Sequence, residues 1–78
     1  IDLGATMRLL EKYIAECEAI INSMNEDTRN IPDYEESFQT KEESFYWGMT
    51  ITYGLMYYKN EITWANWCIE KLKAKIDE

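Results

Sequence analysis

The sequence predicts an all-α fold: two long helices in an antiparallel hairpin, joined by a long connecting loop, with the second helix free to form a dimer interface. Three observations predict it. Leu3, Met7, Leu10, Ile14, Cys17, Ile21 and Met24 step alternately by four and three residues. Ile51, Leu55, Tyr58, Ile62, Ala65, Ile69, Leu72 and Ile76 do nearly the same. Both are helix-period apolar seams. Between them lies NEDTRNIPDYEESFQ, whose Pro32 no helix interior tolerates.

The first helix is expected over residues 3–24. Asp2 stands where a carboxylate caps the first turn. Tyr13 and Ile20 widen its seam, while Glu11, Glu16 and Glu18 face away. Residues 25–39 form the connection, longer than the roughly 2–8 residues usual between helices. Its Ile31, Tyr34 and Phe38 are expected to pack back on the helices, around a short turn at residues 33–37.

The second helix is expected over residues 40–76. Thr40 and Glu43 have the spacing of a capping box. Residues 45–54 are its weak point, because aromatic and β-branched side chains there favour strands. Gly48 and Gly54 would each cost a helix interior about 1 kcal/mol. Helix still wins, since the seam begins inside this stretch at Ile51 and no hairpin turn is at hand. A bend near either glycine is compatible with that.

A second stripe runs along the same helix. Tyr53, Tyr57, Trp64 and Trp67 fall roughly opposite the seam at about 100° per residue, and Trp47 is grouped with them. A helix apolar on two faces is covered on both. Packing is the first role for these aromatics. They are also the candidate ligand-binding residues, because a pocket between aromatic faces takes a flat apolar molecule by stacking.

Seventy-eight residues make a single domain near the size at which one core is marginal by itself. With 46% hydrophobic residues the chain is too apolar to stay disordered, so burial against a second chain is expected. The net charge of −7 argues against nucleic acid as a direct ligand. Its one basic cluster, Lys71, Lys73 and Lys75, complements the negative end of a helix dipole. Cys17 and Cys68 stand singly, which fits a reducing compartment. No apolar run is long enough for a membrane span, and no targeting segment is recognisable. The chain opens on Ile1 rather than Met, as a piece of a longer protein would.

Catalytic chemistry is missing. There is no histidine, hence neither the commonest general base nor the commonest transition-metal ligand. Two cysteines are too few for a zinc site. Gly4, Gly48 and Gly54 stand alone, without a phosphate-binding loop. Carboxylate pairs such as Glu35/Glu36 and Glu42/Glu43 lie in charged stretches with no apolar pocket to raise a pKa. No enzyme activity, cofactor or metal is expected.

The phrase TITYGLMYYKNEITWANWCIEKL resembles the C-terminal helical region of PadR-family transcriptional regulators. The resemblance is carried by Thr50 or Thr52 ahead of Gly54, by Tyr57-Tyr58, by Ile62, by Trp64 ten residues after the glycine, and by Ile69 and Leu72. RLLEKYIAECEAIINSM fits the preceding arm. The resemblance implies a bacterial, cytoplasmic, homodimeric regulator. It would grip operator DNA only through an N-terminal winged helix that these residues lack. Some relatives sense aromatic or cationic small molecules near the dimer interface, and Trp64 alone carries over, first as a packing residue. The expected function is therefore a dimerisation domain, with small-molecule sensing as an added capacity. The alternative is a freestanding acidic helical adaptor that docks a different protein.

Overall fold

The computed structural model describes residues 1–29 and 41–78. Helix α1 spans Leu3–Arg29 and helix α2 spans Lys41–Ile76, and no strand occurs among the described residues. The molecule measures 59 × 16 × 16 Å, a rod whose length is that of α2. The expectations for Pro32, for Ile31, Tyr34 and Phe38, for the turn at 33–37 and for the Thr40 cap lie outside the described residues.

Helix α1 begins where the sequence places it. The Asp2 carboxylate accepts a hydrogen bond from the Ala5 amide at 3.0 Å, and its carbonyl accepts from the Thr6 amide at 3.1 Å. These satisfy amides that a helix start otherwise leaves orphaned. The helix does not end at Met24, where the seam ends. It runs on through Asn25–Arg29, polar residues without a breaker, so helical hydrogen bonding continues after the apolar pattern has stopped.

Helix α2 is unbroken through the stretch with strand propensity. Part of the reason is local. Thr50 donates its hydroxyl to the Tyr46 carbonyl at 3.1 Å, and Thr52 donates to the Gly48 carbonyl at 2.9 Å. Each β-branched residue thus satisfies its polar group on the preceding turn of its own helix. Lys73 and Lys75 occupy the last turn, where cations meet the negative pole of the helix.

The two helices run antiparallel. The Tyr13 hydroxyl donates to Glu61 Oε2 at 3.2 Å, and further along Met24 reaches Gly54. The approach at Gly54 is close: a Cβ built there would lie 2.6 Å from Met24 Cε. A side chain there would have to push aside the flexible end of Met24, which reaches across from the neighbouring helix. Gly48 is different, with nothing within 4 Å of its missing Cβ.

The core is thin. Among the described residues only Cys17, Ala65 and Ile69 are buried. The other seam residues of α1 are half-buried, as are Ile51, Leu55, Tyr58, Ile62 and Leu72 on α2. Ile76 departs from this, standing 48% exposed in the last turn. One helix pair covers one stripe of each rod and leaves the remainder to solvent. Cys17 and Cys68 are both free thiols.

Candidate functional site

The side of α2 turned away from α1 carries the feature that the fold leaves unexplained. Tyr53, Trp64 and Trp67 are 71%, 52% and 59% exposed, and Tyr57 is exposed beside them. Phe45, Tyr46, Met49 and Met56 extend the same surface toward the start of the helix. From Phe45 to Trp67 the strip is about 33 Å long at 1.5 Å per residue. Exposed apolar side chains scattered singly are normal, but a contiguous strip of this kind marks an interaction surface.

Of the five aromatics singled out from sequence, four share this face. Trp47 does not. It is half-buried on the seam side, and the reason is helical geometry. Eighteen residues are five full turns, so Trp47 has the azimuth of buried Ala65. The same arithmetic identifies residues that sequence reasoning passed over: Tyr46 lies five turns before Trp64, and Met49 five turns before Trp67. Their signal was present in the spacing but masked by the strand-like composition around them.

Beside the strip, Ser44, Phe45, Gly48, Met49, Thr52, Tyr53 and Met56 line an open groove of about 590 Å³. Its floor is Gly48, whose lack of a side chain makes the notch. Ring contacts order parts of the strip. Phe45 and Tyr46 meet edge to face at 5.7 Å between centroids, as do Tyr57 and Tyr58 at 5.1 Å. Lys71 Nζ lies 5.3 Å from the centroid of the Trp67 ring, so the chain's own cation already occupies that π face. This weighs against Trp67 as a receptor for a cationic ligand.

Glu61 sits at the edge between the two faces. Besides accepting the Tyr13 hydroxyl, its negative charge raises the pKa of Tyr57 above the ordinary 10.0, with burial and a hydrogen bond to Glu61 adding to the effect. Tyr13 is raised as well, first by burial and then by hydrogen bonds to Cys17 and Glu61. Both shifts keep the phenols neutral, as donors to a carboxylate should be. Among the described residues no group of three His, Cys, Asp or Glu side chains converges as a metal site would require. No described helix is long and apolar enough to cross a membrane.

Fold and surface together define an all-α accessory domain, a hairpin whose distinguishing feature is a face rather than a pocket of reactive groups. The chain belongs to the virulence activator alpha C-terminal family, which it matches over residues 1–73. It is thus a regulator's domain, the C-terminal part of a transcription activator, and that is not an enzyme class. No curated protein and no solved structure matches the chain.

The match corrects the resemblance to PadR regulators, since the family that spans both helices is a different one. The phrase that carried the resemblance, Thr50 to Leu72, consists largely of seam and stripe residues. Isoleucine, tyrosine and tryptophan at steps of three and four are what any long helix with two apolar faces presents. Such a pattern reports helix geometry more than ancestry.

Proposed function

We propose that this domain is the self-association module of a transcription activator, joining two copies through the outer face of α2. The observation that carries it is the 33 Å apolar strip estimated above from helix rise, which the hairpin itself does not cover. The mechanism is geometric. Pairing two copies fixes the distance between DNA-contacting segments outside these residues, so that they meet half-sites about 34–36 Å apart or a multiple of that. With a net charge of −7, the domain itself leaves the phosphate contacts to those segments. Such a role belongs in the cytoplasm, with the DNA.

Sedimentation equilibrium at micromolar concentration tests the proposal. The wild-type hairpin is expected to dimerise, and Trp64→Ala to weaken the dimer while leaving the helical content of the monomer intact. A wild-type monomer throughout the range would overturn it, and would favour the acidic adaptor that docks a different protein.

The groove beside Gly48 supports a second function. Its volume of about 590 Å³ is within the range that takes a small molecule, roughly 300–1,000 Å³. A flat apolar effector lodged there would act on activation only if it bound one dimer arrangement better than another. Stacking would quench tryptophan fluorescence near Trp64 or Trp67 if the ligand extends along the strip. Titration with aromatic compounds that leaves fluorescence and melting unchanged would remove this function.

A further inference from the structure

The four methionines divide between the two sides of the hairpin. Met7 and Met24 are half-buried seam residues of α1, and the end of Met24 lies over Gly54 of the facing helix. Met49 and Met56 belong to α2 and are 55% and 66% exposed. They are seven positions apart, nearly two turns, and so share one azimuth within about 20°. Around the helix they fall between Phe45 and Tyr53, inside the strip and not at its border. Both also line the groove over Gly48, so open space leads to each of them.

A thioether is apolar and soft, but its sulfur lone pair attacks a peroxide oxygen. The S–O bond forms as the O–O bond breaks, and sulfur gives two electrons to the peroxide. The departing hydroxide takes up the proton left on the transferred oxygen, so that water is the second product. The sulfoxide is polar and accepts hydrogen bonds, and dedicated reductases return it to the thioether.

Resting on the self-association proposed above, we infer that Met49 and Met56 are a reversible oxidation site for hydrogen peroxide, and that their sulfoxides separate the two copies. Self-association places both side chains within the covered face. A sulfoxide oxygen there gives up water without gaining a partner, a cost that separated copies do not bear. Two copies carry four such oxygens. The linkage is reciprocal: covering the strip also shields the thioethers, so the associated chain oxidises more slowly than the single one. Met7 and Met24 are the internal reference, since the hairpin shelters them in both states. Cys17 is buried and Cys68 half-buried, so the thiol that peroxide reaches first is Cys68, which is not one of the strip residues.

Peroxide treatment tests the site. The chain is oxidised at a concentration where it is monomeric, and the sulfoxides are located by peptide mass mapping. Its dissociation constant is then measured by sedimentation equilibrium, with circular dichroism confirming helix. Met49 and Met56 are expected to oxidise before Met7 and Met24, and association to weaken by roughly 10- to 100-fold. Methionine sulfoxide reductases, one for each epimer, restore the untreated constant, whereas dithiothreitol, which reverses disulfide and sulfenic acid at Cys68, does not. The Met49→Leu/Met56→Leu variant, compared with its own untreated form, does not respond to peroxide. Four results would each overturn the site and leave self-association standing. These are earlier oxidation at Met7 or Met24, sulfoxides at both strip positions with an unchanged constant, recovery in dithiothreitol, and a double variant that responds as wild type does. A wild-type chain that is monomeric before any peroxide is added would instead overturn self-association itself, and its control by oxidation with it.

Discussion

Ile69→Ala probes the hairpin where it is most dependent on one side chain. Ile69 is only 6% exposed, one of three buried residues among those described. The change deletes three carbons, worth about 0.8 kcal/mol each by transfer, and leaves a cavity on the closed side of the seam, one turn beyond Ala65. The expected loss is about 3 kcal/mol, within the 2–5 kcal/mol range for such truncations. A domain of this size holds only about 4–12 kcal/mol in total. For domains of 60–100 residues each kcal/mol moves Tm by about 4–8 °C, so the midpoint should fall by about 12–24 °C. Helical circular dichroism at 222 nm, recorded at several protein concentrations, is the assay. The concentration series matters because self-association raises Tm by mass action and would otherwise mix two effects. A drop of less than about 4 °C would mean that Ile69 is not sealed between the helices, and the thin-core description would be wrong.

The two glycines of α2 should respond differently. Gly48→Ala adds a methyl into open space and gains helix propensity, raising monomer stability by about 1 kcal/mol in urea unfolding. Gly54→Val instead requires the flexible end of Met24 to move aside and should stabilise the hairpin less than Gly48→Ala does in the same unfolding assay. Tyr13→Phe removes the hydroxyl that donates to Glu61 and should lower the melting midpoint slightly at neutral pH. Because the folded pKa of Tyr13 is raised, its contribution is complete below the unfolded value near 10 and is lost as pH climbs toward the higher folded value. Melts between pH 8 and about 11.5 should therefore fall less steeply for Tyr13→Phe than for wild type, given the ordinary tyrosine pKa of about 10. The isolated hairpin should give no shift of duplex DNA in a gel at physiological salt, since it lacks the basic stripe that phosphate binding requires.

Much of the hairpin was legible in the chain because helix seams are local. Steps of three and four over two dozen residues specify which side of each rod is apolar, whatever lies against it. Asp2 could be read as a cap for the same reason, since its partner amide at Ala5 is three residues away. The outer strip was legible in part: Tyr53, Tyr57, Trp64 and Trp67 lie on one face by arithmetic alone. Trp47 was misplaced among them because it was grouped by residue type instead of by azimuth. The family was not legible, since a short phrase of seam and stripe residues encodes geometry that unrelated helices share.

By itself, then, the sequence determined two amphipathic rods, the cap of the first and the absence of histidine, all of which depend on composition and on neighbours within a few residues. Only the tertiary structure decided the register of one rod on the other. That register buries Cys17, Ala65 and Ile69 while leaving Ile76 half in solvent. It also decided that Met24 lies over Gly54 and that Tyr13 reaches Glu61. These depend on contacts between residues some thirty to fifty positions apart. A seam tolerates sliding by a turn with little change in its apolar pattern, so periodicity cannot choose among registers, and only the fit of particular side chains across the helix pair does.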